Sequence, residues 1–503
     1  MKIAYFSVII GLAVHSALAV STKQVKPRRT TSILINLPAS SDNTISTASD
    51  VGLNLDDIQG DILIGMKKKK ELFLFFSIND TATFKSKLAS DIQPLVTTTN
   101  QLLAVDTQPT TALNIAFSRS GLTALNVTDD LGESLFNDGQ FADAEALGDV
   151  KDNWAPGFAG TSVHGVILLA SDTDDNVNDE LSNVQNILGE SITEIHRVSG
   201  AARPGDQEGH EHFGYMDGIS QPAVEGFTSN VLPGQALIVA GEFILGASGD
   251  NTTRPDWAQG GSFLVFRQMQ QKVPEFQKFV LDNALSVPGL TRDENADLFG
   301  ARLFGRWKSG APIDLAPLRD DPDLAADNTR NNNFTYDHPE IAGFDIATNQ
   351  TNCPFSAHTR KTRPRADFGT EETARHIIRA GIPYGPEVTD AESASNTSST
   401  DASLERGLAF VAYQSSISNG FHFVQQSWVN NANFFFGKAV PPGVDPIIGR
   451  VQDSAFDTAR TVSGTNPLNT SETITLDTEF IINRGGEYFF SPPISALSGK
   501  LAA

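Results

Sequence analysis

Read as a pattern of apolar and polar positions, the first half of the chain is a run of short, alternating strand and helix signals. ELFLFFSI (71–78) is the first strongly apolar strand candidate, and ATFKSKLASDIQPLV (82–96) follows with helix-like spacing. TALNIAFS (111–118) and HGVILLASD (164–172) predict two further strands, the second rich in aliphatic and β-branched residues. In DTDDNVNDELSNVQNILGE (172–190), Val177, Leu181, Val184 and Ile187 recur at helical spacing, and ITEIHRV (192–198) closes the series as a strand. Strand, helix, strand, strand, helix, strand is the split βαβ order.

The second half begins in the same way. GGSFLVFRQM (260–269) predicts a strand, and VPEFQKFVLDNAL (273–285) a helix with Phe276, Phe279, Val280 and Ala284 on one side. GLAFVAYQ (407–414) is another apolar strand, and SNGFHFVQQSW (418–428) fits either a strand or a helix. Between them, residues 287–400 are long, polar and rich in Pro and Gly. The pattern predicts two related α+β units, the second expanded by a large insertion, with a site between sheet and helices. The KKKK run (67–70) is expected to be a solvated approach to the first strand.

Composition narrows the class. A chain of 503 residues with 40% hydrophobic content is globular, and its single cysteine, Cys353, makes no intrachain disulfide. A net charge of −23 argues against nucleic acid as a partner. Met1-Lys2, the apolar run IAYFSVIIGLAV and Ala17-Leu18-Ala19 form a secretory signal peptide, 1–19, too short and too soon interrupted by His15-Ser16 to be a membrane anchor. Residues 20–47 read as a propeptide with a dibasic Arg28-Arg29 option, and the chain left after residue 47 is more acidic still. Seven Asn-x-Ser/Thr sequons follow, at Asn79, Asn126, Asn251, Asn333, Asn349, Asn396 and Asn469. Asn79, at the end of a strand candidate, is the least favourable of them.

Against this acidic background HTRKTRPR (358–365) gathers Arg360, Lys361, Arg363 and Arg365 beside His358, either an anion-facing cluster or a solvated loop. With Cys353-Pro354-Phe355 upstream, the mixture suits a haem, which needs an axial imidazole and cations for its propionates. GYMDGISQP brackets Asp217 with Gly214 and Gly218, an arrangement open to a turn cap or to a proton-shuttling carboxylate. IIRAGIPYGPEV (377–388) offers Arg379 as a fixed cation and Tyr384 as an oxidisable phenol. His210-Glu211-His212 lacks the spacing and third ligand of a zinc site, and no P-loop, nucleophile elbow or dinucleotide fingerprint is present.

Taken together, these stretches make the chain resemble the secreted fungal dye-decolorizing peroxidases. The resemblance rests on Gly214-Tyr215-Met216-Asp217-Gly218, CPFSAHTRKTRPR (353–365) and RAGIPYGPE (379–387), with LDDIQGDIL (55–63), GSFLVFR (261–267), GRWKSGAPID (305–314), ERGLAFVAYQ (405–414) and GGEYFFSPP (485–493). It spans about residue 50 to 495. It implies an α+β fold of two ferredoxin-like modules in a dimeric α+β barrel-like arrangement, an N-terminal one over 48–220 and a C-terminal one over 221–503 that holds haem b. It further implies His358 as the iron ligand, Asp445 in GVDPIIG as its hydrogen-bonded carboxylate, Asp217 as distal acid–base and Arg379 as distal cation. Arg360 is expected at a propionate, Leu408 and Phe410 above the haem, and Trp428 and Tyr384 at surface radical sites. The implied activity is oxidation of anthraquinone and azo dyes, phenols and lignin-related aromatics by hydrogen peroxide through an oxoferryl intermediate, in a secreted, monomeric enzyme with no membrane anchor. The alternative is a secreted haem-binding or carrier protein with little turnover.

Overall fold

The computed structural model describes residues 48–66, 69–160, 162–369, 374–451 and 460–503. The expected signal peptide and propeptide lie outside the described residues, as do Lys67 and Lys68. Among the described residues nine strands form the main sheet: β1 Lys70–Ile78, β2 Ala112–Phe117, β3 Gly165–Ser171, β4 Ile192–Ala201, β5 Ser262–Gln271, β6 Ile378–Arg379, β7 Ile382–Tyr384, β8 Gly407–Gln414 and β9 Ile481–Ser491. The first unit is antiparallel with strand order β2-β3-β1-β4, and the second repeats it as β9-β5-β8 with β6 and β7 end to end along β8 as one interrupted strand. The two sheets join where Gly200 faces Tyr384 and where Phe490 faces Phe117, which closes the nine strands into a barrel. Closure leaves neither four-stranded unit with an open edge.

Alternation along the strands sorts side chains into two cores. Phe73, Phe75, Phe266 and Phe489 point into the barrel, where the rings of Phe73 and Phe75 lie 5.0 and 4.8 Å from that of Phe266. Leu72, Leu74 and Phe76 point outward, beneath helix α1 (Thr81–Lys87) and helix α2 (Asp174–Leu188). Both faces of β1 are therefore covered, which is why its sequence shows no period. In α2 the Thr173 side chain caps the Asn176 amide, and the buried stripe is Val177, Leu181, Val184 and Leu188, with Ile187 only partly buried.

The second unit departs from the pattern reading at two places and decides a third, 418–428, that the pattern leaves open. Residues 287–400 contain helix α4 (Arg292–Phe304), opened by a capping box between Thr291 and Glu294, after helix α3 (Val273–Asp282). The segment 418–428 is helical, as α6 (Phe421–Phe423) running into a wider turn over Val424–Val429. Strand β9 escapes the apolar pattern because Asn483, Arg484 and the Gly485-Gly486 pair interrupt it, and the register shifts between Asn483 and Gly486. The outward residues of β5 (Arg267, Met269, Gln271) and β8 (Leu408, Phe410) face the α3, α4 and insertion layer, and a cavity lies between.

One buried acid on β9 carries a pH signature. Glu487 accepts the Gln140 and Tyr488 amides at 2.9 and 2.7 Å, and burial pushes its pKa up to about 7. Between about pH 4.5 and 7 the unfolded chain has released this proton while the folded chain keeps it, so the contribution of Glu487 to stability falls as pH rises. Glu487→Gln is expected to gain stability relative to the parent across that window, by on the order of 3 kcal/mol. Urea unfolding of both proteins at several pH values checks this, and a difference that does not change with pH contradicts it.

Candidate active site

His358 opens the short helix α5 (His358–Thr362), and its Nδ1 donates to Asp445 Oδ2 at 2.7 Å. The partner is a carboxylate, so Nδ1 carries the hydrogen and Nε2 is left with a lone pair to offer. Asp445 is fully buried, and its other oxygen accepts the Ile447 and Ile448 amides at 2.8 and 3.1 Å. Burial pulls the His358 pKa down, but the charge and hydrogen bond of Asp445 outweigh it and hold it above the usual value. The imidazole lines the cavity, and Phe304 meets it edge-on at 6.2 Å.

Asp217 and Arg379, 162 residues apart, also line this cavity and form an ion pair at 2.6 Å. A hairpin presents the aspartate: His210 pairs with Met216, and the Asp217 amide donates to Gly209 O at 3.0 Å. Gly214 and Gly218 supply the left-handed backbone that this needs, at φ of +96° and +80°. Arg379 is set by Gln221, which donates to its carbonyl at 2.5 Å and accepts from its amide at 3.1 Å. The functional side of the H-E-H sequence is Glu211, which the sequence reading passed over. Its carboxylate accepts the Phe213 and Tyr215 amides at 2.9 and 2.8 Å and bonds to Gln271, so it shapes the hairpin just before Asp217. Burial raises the Glu211 pKa to about 7. His212 bonds through Nε2 to the Tyr384 carbonyl instead of facing the cavity.

The basic run divides by helical phase. Thr359 and Thr362 line the cavity with His358, whereas Arg360 and Lys361 point away from it. Arg360 is therefore not placed to contact a propionate there: its guanidinium grips Asp367 at 2.6 and 2.9 Å and the Cys353 carbonyl at 2.7 Å, between the rings of Tyr336 and Phe355. Lys361 is wholly buried and donates to the carbonyls of Asn431 and Phe434 at 2.8 and 2.5 Å; burial lowers its pKa to about 7. The cations that line the cavity are Arg363 and Arg365, with Arg267, Arg306, Arg375 and Arg379. Arg363 donates to Ser220 Oγ at 2.8 Å, and Arg365 is held by Asn332 and the Phe334 carbonyl.

Leu408 and Phe410 line the cavity as neighbours on the outer face of β8. Trp428 also lines it, is 2% exposed, and stacks on Phe434 at 5.2 Å and 4°. Its other side faces a surface recess shared with Phe434 and Phe436, and Phe436 is 74% exposed. Tyr384 lies elsewhere, in the barrel core, with its hydroxyl on Glu405 Oε1 at 2.9 Å. Cys353 packs with Leu298, Trp307 and Tyr336 outside the cavity lining, not beneath the site, and burial raises its thiol to about 12. Among the sequons, Asn79, Asn126, Asn251, Asn333, Asn396 and Asn469 are exposed and Asn349 is half-buried.

The comparisons with known proteins cover both units. The DyP dimeric alpha+beta barrel domain matches residues 57–204, and the C-terminal domain of Dyp-type peroxidases matches residues 211–434. The chain is 59% identical over 518 residues to Peroxidase 2 of Mycetinis scorodonius, with all of both chains covered. It is 53% identical to the dye-decolorizing peroxidase AauDyP1 of Auricularia auricula-judae, covering 98% of this chain and 96% of the relative. A crystal structure of a decolorizing peroxidase from Auricularia auricula-judae superposes with a TM-score of 0.85 at 55% identity, covering 90% of this chain and all of the other. A likeness that runs through both sheets and the cavity between sheet and helices leaves one conclusion: this chain belongs to the dye-decolorizing peroxidase family.

Proposed function

We propose that His358, Asp445, Asp217 and Arg379 carry the chemistry of this cavity, His358 as the iron ligand. The chain is a haem peroxidase that uses hydrogen peroxide to oxidise dye-type aromatic donors. Its residues suit haem b on their own chemistry: one imidazole has its Nδ1 committed to a buried carboxylate and its Nε2 left over, and the lining sets arginines beside apolar Phe, Met, Leu and Ile side chains. Arg363 and Arg365 take the propionates, in place of Arg360. Bound haem supplies the two-electron reduction of peroxide and the one-electron oxidations of donor that follow.

The protein supplies the rest. Asp217 takes the proton from one peroxide oxygen and returns it to the other, which leaves as water. Arg379 offers positive charge where negative charge develops on the departing oxygen, and its ion pair holds Asp217 in place. Leu408 and Phe410, on the cavity lining, would narrow the space left to peroxide once haem is bound. Asp445 strengthens His358 as a donor. The observation that carries this reading is that His358, held from behind by Asp445, and the Asp217–Arg379 pair line one cavity. A haem carrier has use for the first pair but none for the second.

Bulky donors are oxidised at the surface through Trp428, which reaches from the cavity to the outer recess. Tyr384, enclosed in the barrel, is the lesser of the two expected radical sites. The enzyme is secreted after loss of residues 1–19 and 20–47 and works as a monomer of two modules, 48–220 and 221–503, without a membrane anchor. The exposed sequons support that setting, and no helix among the described residues is long and apolar enough to cross a membrane.

Stopped-flow mixing of haem-loaded protein with peroxide tests the site. Asp217→Asn and Arg379→Leu are expected to keep the Soret band and lose about 10²–10⁴-fold and about 10²–10³-fold in the peroxide reaction. Variants that bind haem and react at the parent rate contradict these roles. For the relay, Trp428→Phe is expected to lose most turnover of a bulky anthraquinone dye while keeping that of a small phenol, with Tyr384→Phe affecting neither strongly. Equal losses on both donors contradict it.

A further inference from the structure

The GGEYFFSPP stretch contributes a cluster that the reaction above leaves unused. Tyr488, on β9, is fully buried, and its hydroxyl donates to Asp143 Oδ2 at 2.5 Å. The other oxygen of Asp143 lies 3.2 Å from His422 Nε2, on α6. Burial keeps the Tyr488 phenol well above its usual pKa, so it is a neutral O–H donor. The charged and titratable groups around it are Asp143 and, beyond it, His422; Asp149 and Arg267, which pair at 2.6 Å; and Glu487, which accepts the Tyr488 amide.

This cluster is joined to the cavity through aromatic rings. The Tyr488 ring is 6.5 Å from that of Phe421, which is 5.8 Å from that of Phe410, and both phenylalanines line the cavity. The Arg267 guanidinium, also at the cavity wall, sits 5.5 Å over Phe421. The other described tyrosines lack some part of this arrangement. Tyr215 and Tyr336 line the cavity, but neither has a carboxylate on its hydroxyl among the hydrogen bonds found. Tyr384 and Tyr413 donate to Glu405 and Asp61 from the barrel interior, away from the cavity wall.

We propose that Tyr488 is an internal one-electron site, oxidised when no donor is at hand, with Asp143 as the acceptor of its phenolic proton. The proposal rests on the peroxidase reading. In the forward step Tyr488 gives one electron to the oxidised haem, its O–H bond breaks, and the proton passes to Asp143 Oδ2. The products are a neutral phenoxyl and a neutral carboxylic acid, so no tyrosyl cation is left in the apolar interior, where an unpaired charge is costly. The donor–acceptor distance is already that of a proton-transfer hydrogen bond, and His422 Nε2 stands beside the far oxygen. An electron from an aromatic donor, with the proton returned from Asp143, restores the phenol.

Freeze-quench electron paramagnetic resonance of haem-loaded protein, mixed with peroxide without donor, tests this. In a Trp428→Phe/Tyr384→Phe background a tyrosyl signal is expected that narrows when ring-deuterated tyrosine is incorporated. Adding Tyr488→Phe is expected to remove most of that signal, and adding Asp143→Asn, which keeps the tyrosine but removes the proton acceptor, to do the same. Both additions leave the peroxide-induced Soret change as in the background. A signal undiminished by either substitution, or no tyrosyl signal in the background, overturns the proposal. Haem-loaded protein with no Soret change on peroxide addition overturns the peroxidase reading, and this proposal with it; a normal Soret change without the Tyr488 signal overturns this proposal alone.

Discussion

The wall of the site that carries His358 depends on the hydrogen bond between His358 Nδ1 and Asp445. A carboxylate with no exposure to solvent is costly to bury, and two backbone amides and one imidazole N–H offset that cost. The bond fixes which ring nitrogen carries hydrogen and pulls electron density toward the other. It also ties the first residue of α5 to a loop 87 residues away, which sets the phase of the short helix. That phase sends Thr359 and Thr362 to the cavity and Arg360 and Lys361 into the protein. The next cations to reach the cavity wall are then Arg363 and Arg365.

The opposite wall is built on a different principle. Asp217 sits on a hairpin whose shape is set by backbone bonds and by buried Glu211, and Arg379 sits on a two-residue strand clamped by Gln221. Each side chain is positioned by its own segment before the two meet in an ion pair. The barrel makes that meeting possible, because closure brings β7 of the second unit against β4 of the first and sets the Arg379 strand beside the hairpin that follows β4. An acidic chain thus keeps its arginines where an anionic cofactor needs them.

Much of this was legible in the sequence, unevenly and for physical reasons. Strands β1, β3 and β8 are covered on both faces or strongly apolar, and their composition alone announced them. Helix α4 was lost in a stretch read as polar insertion, although Thr291 and Glu294 form a capping box that marks its start. Strand β9 was hidden by its glycine pair and the register shift there. His358, Asp217 and Arg379 were visible as unusual residues in unusual surroundings, yet only the family resemblance gave them roles. Arg360 was misplaced because a count of positive charges in a row carries no helical phase. Glu211 was passed over because its neighbours invited a metal-site test that its spacing failed.

The central claim, that the buried charge of Asp445 acts through His358 on the iron, is tested most directly by the ferric/ferrous midpoint potential. Asp445→Asn keeps an acceptor for the two amides but removes the negative charge. Spectroelectrochemical titration of the haem-loaded proteins is expected to show a higher midpoint potential in the variant than in the parent, with His358 still bound. Identical potentials in the two proteins would contradict the account.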